Sequence, residues 1–177
     1  MVAVFTPVKK YIHKVFKDKE IKVDKDSERA YGQEDIVSKQ NWYVYNANYG
    51  TSEEKEFVKM FARRFEYLEQ RFDNIYLIRN ERVVKIFDKL GRAFEPDFIL
   101  FCKQKKGEYR TYQVFIEPKG AIFAPHDKWK EEFLEQIREE KHTVKIYTDK
   151  YLITGVPFYN TTSENEFIET LEKTLKE

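Results

Sequence analysis

The sequence predicts an α/β fold in which a central mixed β-sheet is flanked by helices. Two stretches rich in aromatic and β-branched residues, Phe94–Phe101 and Tyr112–Gly120, surround a polar connection centred on Gly107 and read as a β-hairpin. Just upstream, Thr51 to Phe72 repeats apolar residues at helical spacing. Downstream, helical and strand-like segments continue to alternate, which is the pattern of a sheet covered by helices.

A chain of 177 residues fits one core, with residues 1–48 as a lead-in and 49–177 as the main domain. Charged residues make up 36% but cancel to a net +1, so any nucleic-acid surface must be local. One cysteine, Cys102, excludes an internal disulfide, and its apolar strand makes it a core residue. With no apolar run of membrane-spanning length and no signal peptide, the expected setting is a reducing cytoplasm without membrane attachment. The three histidines, at 13, 126 and 142, lack zinc-site spacing.

In chain order, Thr6–Pro7 opens a helix with Val8, Tyr11, Ile12, Val15 and Phe16 on one side. The lysines opposite form a solvated face or, as the alternative, a phosphate-contacting patch. An irregular charged stretch follows, loosest from Lys22 to Glu28, and Trp42–Tyr45 reads as a short strand. The helix Thr51–Phe72 begins with a Thr51/Glu54 capping box and turns Phe57, Val58, Phe61, Phe65, Leu68 and Phe72 inward. Asn74–Arg79 and Val83–Asp88 read as strands of the same sheet as the hairpin. Trp129–Glu140 is helical, with Lys130 on its inner face as a snorkelling lysine or a phosphate-binding cation. Thr143–Ile146 and Tyr151–Val156 are further strands, and a Ser163/Glu166 capping box opens the last helix.

If the hairpin folds about Gly107, Asp97 stands opposite Glu117 with side chains on one face and Cβ atoms roughly 5 Å apart. The strand period returns Lys119 to that face. Opposed carboxylates repel unless a cation lies between them, so a divalent metal is one explanation of the pair. The alternative is local: Glu117–Pro118–Lys119–Gly120 also suits a type I turn, with Asp97 as a strand-initiating residue.

At these residues the sequence resembles the PD-(D/E)XK nuclease superfamily, with Pro96–Asp97 and Glu117–Pro118–Lys119 as its signatures. Phe94–Leu100, Val114–Gly120, Asp127–Lys128–Trp129–Lys130 and Pro157–Phe158–Tyr159–Asn160 resemble the carboxy-terminal endonuclease domain of type III restriction (Res) subunits. The resemblance covers about residues 49–160. It implies a restriction-endonuclease-like sheet and a Mg²⁺-dependent endodeoxyribonuclease domain over 49–177, with Mn²⁺ able to substitute. Asp97, Glu117 and the Pro118 carbonyl are the implied ligands, and Lys119 orients water and stabilises developing charge. Glu54, with Glu53 as reserve, is the implied additional acidic ligand on the preceding helix. The implied partners are double-stranded DNA, a helicase portion and a modification (Mod) subunit in a prokaryotic restriction system. This sequence itself contains no Gly-x-x-x-x-Gly-Lys-Ser/Thr loop. Two alternatives stand beside this reading: a catalytically silent DNA-binding or assembly module, and a repair or junction nuclease.

Overall fold

The structure is a computed structural model that describes residues 34–45, 48–106, 110–120, 127–146 and 149–176. The helix expected after Thr6–Pro7, the loop Lys22–Glu28, the turn at Gly107, His13 and His126 lie outside the described residues.

Among the described residues, one mixed sheet is built from β1 (Phe72–Arg79), β4 (Phe98–Gln104), β5 (Arg110–Ile116), β6 (His142–Ile146) and β7 (Asp149–Gly155). Its order is β1-β4-β5-β7-β6, with β5 and β7 parallel and the other neighbours antiparallel. A parallel pair needs a long crossover, and α3 (Lys128–Glu140) lies within it. The central strands read as near-continuous apolar runs because both faces are covered.

Phe98 contacts Phe57 of α2 (Ser52–Glu69), with ring centroids 5.0 Å apart, so the even-numbered face of β4 packs on that helix. On the opposite face, α3 crosses β7 so closely that a Cβ at Gly155 would lie 2.6 Å from the Leu134 carbonyl oxygen. Glycine is required there for close helix–sheet approach. α4 (Glu164–Thr174) joins the α2 side: Phe57, Tyr159 and Phe167 form a mutually edge-packed cluster. Each such aromatic pair contributes about 0.5–1.5 kcal/mol beyond its buried area.

The capping box predicted at α2 is present in both directions, with Glu54 N–H donating to Thr51 Oγ1 and Thr51 N–H to Glu54 Oε2. The helix ends at Glu69, earlier than its apolar spacing suggests, because Phe72 begins β1 and pairs with Gln104. Trp42 to Tyr45 makes an isolated bridge, Tyr43 to Leu77, instead of a full strand. A short α1 (Glu34–Val37) precedes it, and Val37, Trp42, Tyr43 and Tyr45 are buried in the common core.

Three further sequence expectations are corrected. Val83–Asp88 does not join the main sheet; only Ile86–Phe87 (β2) pairs, with Ala93–Phe94 (β3), as a separate ribbon. The Asn80 side chain accepts the Val83 and Val84 N–H groups and Arg82 takes a left-handed φ of 59°, so the chain turns off the sheet after β1. Phe94 belongs to that ribbon, and β4 starts only at Phe98 because Pro96 offers no N–H to a ladder. Finally, Ser163 makes no side-chain cap on α4. Asn160 instead caps a 3₁₀ turn, Thr161–Ser163, by accepting the Thr162 N–H at 2.8 Å.

Candidate active site at the end of the hairpin

The β4–β5 register pairs Phe98 with Ile116, Ile99 with Phe115 and Leu100 with Val114. One step further, the same register sets Asp97 opposite Glu117, as the sequence predicts. The two meet: the Asp97 backbone N–H donates to Glu117 Oε2 at 3.0 Å. The segment after Ile116 is extended. Pro118 forms a parallel bridge with Tyr159, in which Tyr159 N–H donates to the Glu117 carbonyl and Lys119 N–H to the Tyr159 carbonyl. Asn160 Nδ2 adds a bond to the Lys119 carbonyl at 3.0 Å. This pairing leaves the Pro118 carbonyl without a donor from the described residues.

Asp97 is anchored from behind as well. Asn80 N–H donates to the Asp97 carbonyl at 2.8 Å, and Asn80 Nδ2 donates to the Pro96 carbonyl at 2.9 Å. Both acidic side chains thus emerge from backbone fixed on two sides.

Their environment is hostile to negative charge. Glu117 is only 3% exposed. Burial, then the negative charges of Glu117 and Glu54, push the Asp97 carboxyl up to about 8. Glu117 is also raised, chiefly by burial, with Lys119 and the Asp97 N–H opposing the shift. Lys119 Nζ lies 3.2 Å from Glu117 Oε1, on the predicted face. Burial tends to lower the Lys119 ammonium, but Glu117 beside it and Asp127 hold it above the usual lysine value.

The sequence places Lys130 on the inner face of α3 but gives no sign that Asp127 ties it to the site. Asp127 Oδ2 lies 3.5 Å from Lys119 Nζ, and Asp127 Oδ1 lies 2.8 Å from Lys130 Nζ. Lys130 is half-buried and passes 5.9 Å from the Phe94 ring centre. It is therefore tied to the site as well as snorkelling along α3. No spacing rule links residue 127 to 119; the crossover from β5 into α3 brings them together.

On the α2 side, Glu54 is buried, and its Oε2 accepts both the Thr51 N–H at 2.7 Å and Arg79 Nη2 at 3.1 Å. Arg79, at the end of β1, also reaches Glu81 at 3.2 Å and Asn48 at 3.4 Å. An arginine closing the apolar strand Ile75–Ile78 was the available sequence signal for it. Gly50 is needed beneath this pair, since a Cβ there would lie 1.8 Å from Glu54 Oε2. Glu53 accepts from Ser52 Oγ, and its Oε1 would be 3.0 Å from a Cβ on Gly120. The start of α2 therefore reaches the end of the Glu117–Gly120 segment. Glu54 and Arg79 both act electrostatically on Asp97.

Among the described residues, no three His, Cys, Asp or Glu side chains form a group able to hold a metal ion. A donor set of Asp97, Glu117 and the Pro118 carbonyl still fits Mg²⁺, which binds through one or two carboxylates and keeps most of its waters. The penalty that burial and the nearby Glu117 charge place on ionised Asp97 is what a cation would relieve. Cys102 stays outside the chemistry: burial pushes its thiol up.

The chain matches, over residues 2–175, the family model HI_1054_C, described as a C-terminal domain. Over 141 residues, 73% of this chain, it is 37% identical to an uncharacterized protein of Haemophilus influenzae. That match spans 30% of the relative's length. No solved structure matches. No described helix is long and apolar enough to cross a membrane.

Proposed function

The chain belongs to the HI_1054_C C-terminal-domain family, and we propose that it is a Mg²⁺-dependent endodeoxyribonuclease domain with a restriction-endonuclease-like fold. The observation that carries this reading is the placement of Asp97, Glu117 and Lys119. The buried Glu117 and the half-buried Asp97 sit in register at the end of one hairpin, with a lysine ion-paired to Glu117. A structural ion pair would need one acid and one base. The additional acid, Asp97, raised by burial and by the charges of Glu117 and Glu54, is an expense to stability that metal-dependent chemistry would explain.

Asp97, Glu117 and the Pro118 carbonyl would hold the ion. When bound, a hard divalent cation supplies charge neutralisation at the phosphate and a lowered pKa for a coordinated water. Lys119, anchored through its own backbone to Tyr159 and Asn160, would place a positive charge beside the phosphate oxygens as negative charge grows. Glu54 would contribute a further acidic charge from α2, with Glu53 beside Gly120 as the alternative. The proposed context is the cleavage module of a type III restriction system, acting on double-stranded DNA with a helicase portion and a Mod subunit.

A second reading, a catalytically silent DNA-binding or assembly module, draws on the engagement of Glu54 by Arg79 and Thr51 and on the small metal-ligand set. Nicking of supercoiled plasmid in Mg²⁺ or Mn²⁺ separates the two. Wild-type cleavage that disappears in Asp97→Ala, Glu117→Ala and Lys119→Ala, all still folded, supports the nuclease. Activity surviving in any of the three removes that residue from the site, and an inactive wild type favours the silent module.

A further inference from the structure

We propose that Asp127 is a positioning residue of this site, holding Lys119 and Lys130 side by side next to Glu117. The inference rests on the nuclease reading for its purpose, though not for its geometry. Asp127 stands at the N-cap position of α3, where an aspartate normally accepts helix N–H groups. Here its side chain makes no capping hydrogen bond. Its two carboxylate oxygens are instead divided between two ammonium groups, Oδ1 to Lys130 and Oδ2 to Lys119.

The result is an unbroken line of alternating charge, Lys130–Asp127–Lys119–Glu117, ending on the Asp97 N–H. A lysine head on four flexible bonds has no fixed position without such a partner. Glu117 alone could draw Lys119 towards the metal ligands and neutralise one of them. Asp127 pulls from the α3 side, so Lys119 is held between two carboxylates. The same residue brings Lys130, from one turn into α3, to the same end of the sheet. Two cations so placed suit the non-bridging oxygens of one phosphate. Asp127 acts on the site through these lysines.

The test uses the 177-residue chain with Asp127→Asn and Asp127→Glu. Two quantities are read: steady-state cleavage of a short duplex in Mn²⁺, and the reductive-methylation rates of Lys119 and Lys130, with exposed Lys128 as internal reference. Asn keeps hydrogen-bonding capacity but removes the charge, so kcat should fall about ten- to one-hundred-fold with KM changed much less. The methylation rates of both lysines should rise several-fold at unchanged melting temperature. Asp127→Glu, which restores the charge, should recover part of both. Unchanged lysine reactivity in Asp127→Asn overturns the proposal, and so does faster cleavage by that variant, which would make Asp127 a blocking anion. If the wild type cleaves nothing but Asp127→Asn still exposes both lysines, the nuclease reading fails and the positioning role stands.

Discussion

The backbone N–H of Asp97 is bonded to the side chain of Glu117 at 3.0 Å, so one acidic residue supports the carboxylate of the other. This contact lies one step beyond the last ladder pair, Phe98 with Ile116. It fixes the Glu117 side chain without neutralising it, and Lys119 supplies the nearest positive charge. Glu117→Gln retains an acceptor for the Asp97 N–H but removes the negative charge. We expect this variant to melt at or above the wild-type temperature without metal and to lose Mn²⁺ binding. Differential scanning fluorimetry and titration calorimetry, with and without Mn²⁺, check both parts.

The metal-free protein should become less stable as pH rises from about 4 to about 8. The Asp97 carboxyl is raised to about 8, against an unfolded value near 3.9. Between those values the folded state binds more protons than the unfolded state, so stability falls with rising pH. It is fully present below the unfolded value and lost through the folded one, and the raised Glu117 acts in the same direction. Thermal melts in chelator across this range should show the decline. Asp97→Asn should flatten it, and Mn²⁺ should offset it at pH 8. A profile unchanged by the Asn substitution would place its origin elsewhere.

Glu54 serves as cap and as ion-pair partner through a single oxygen. Glu54→Gln keeps an acceptor for Thr51 but leaves Arg79 with Glu81 as its charged partner, a loss of about 1–3 kcal/mol. Gly50→Ala should cost about the same, because the new Cβ would force Glu54 and Arg79 apart. Urea denaturation measures both. Cleavage assays then show whether Glu54 matters beyond stability: if it belongs to the site, activity should fall more sharply than stability predicts.

Gly155→Ala should be among the most damaging single changes. Its Cβ would meet the Leu134 carbonyl oxygen at 2.6 Å and the Leu134 Cα at 2.9 Å, both backbone atoms that cannot rotate away. Overpacking of this kind costs about 1–3 kcal/mol or more. Because α3 carries Asp127 and Lys130, the same change should also loosen Lys119. A melting temperature equal to wild type would contradict the close α3–β7 packing.

If the chain acts on DNA, its net charge of +1 offers little long-range attraction. Cleavage should be unselective, require Mg²⁺ or Mn²⁺, and fall steeply with salt because a few local lysines carry the affinity. A plasmid digest across a salt series tests this. Discrete fragments at physiological salt from this chain alone would favour an autonomous enzyme over a type III module.

The hairpin, its register and the shared face of Asp97, Glu117 and Lys119 were legible in the sequence, because strand period and a central glycine are local rules. So was the α2 capping box, whose two partners are three residues apart. The fate of Val83–Asp88 was not legible. Its apolar pattern suits a strand, and only the Asn80 side chain and the left-handed Arg82 send it away from the sheet. Nor could the pattern show that Glu54 pairs with Arg79, or that Asp127 turns from its helix to two lysines. Those contacts depend on the end of β1 meeting the start of α2, and on a crossover returning α3 beside β5. Periodicity assigns a side chain to a face, whereas tertiary packing decides which charges from different elements meet there.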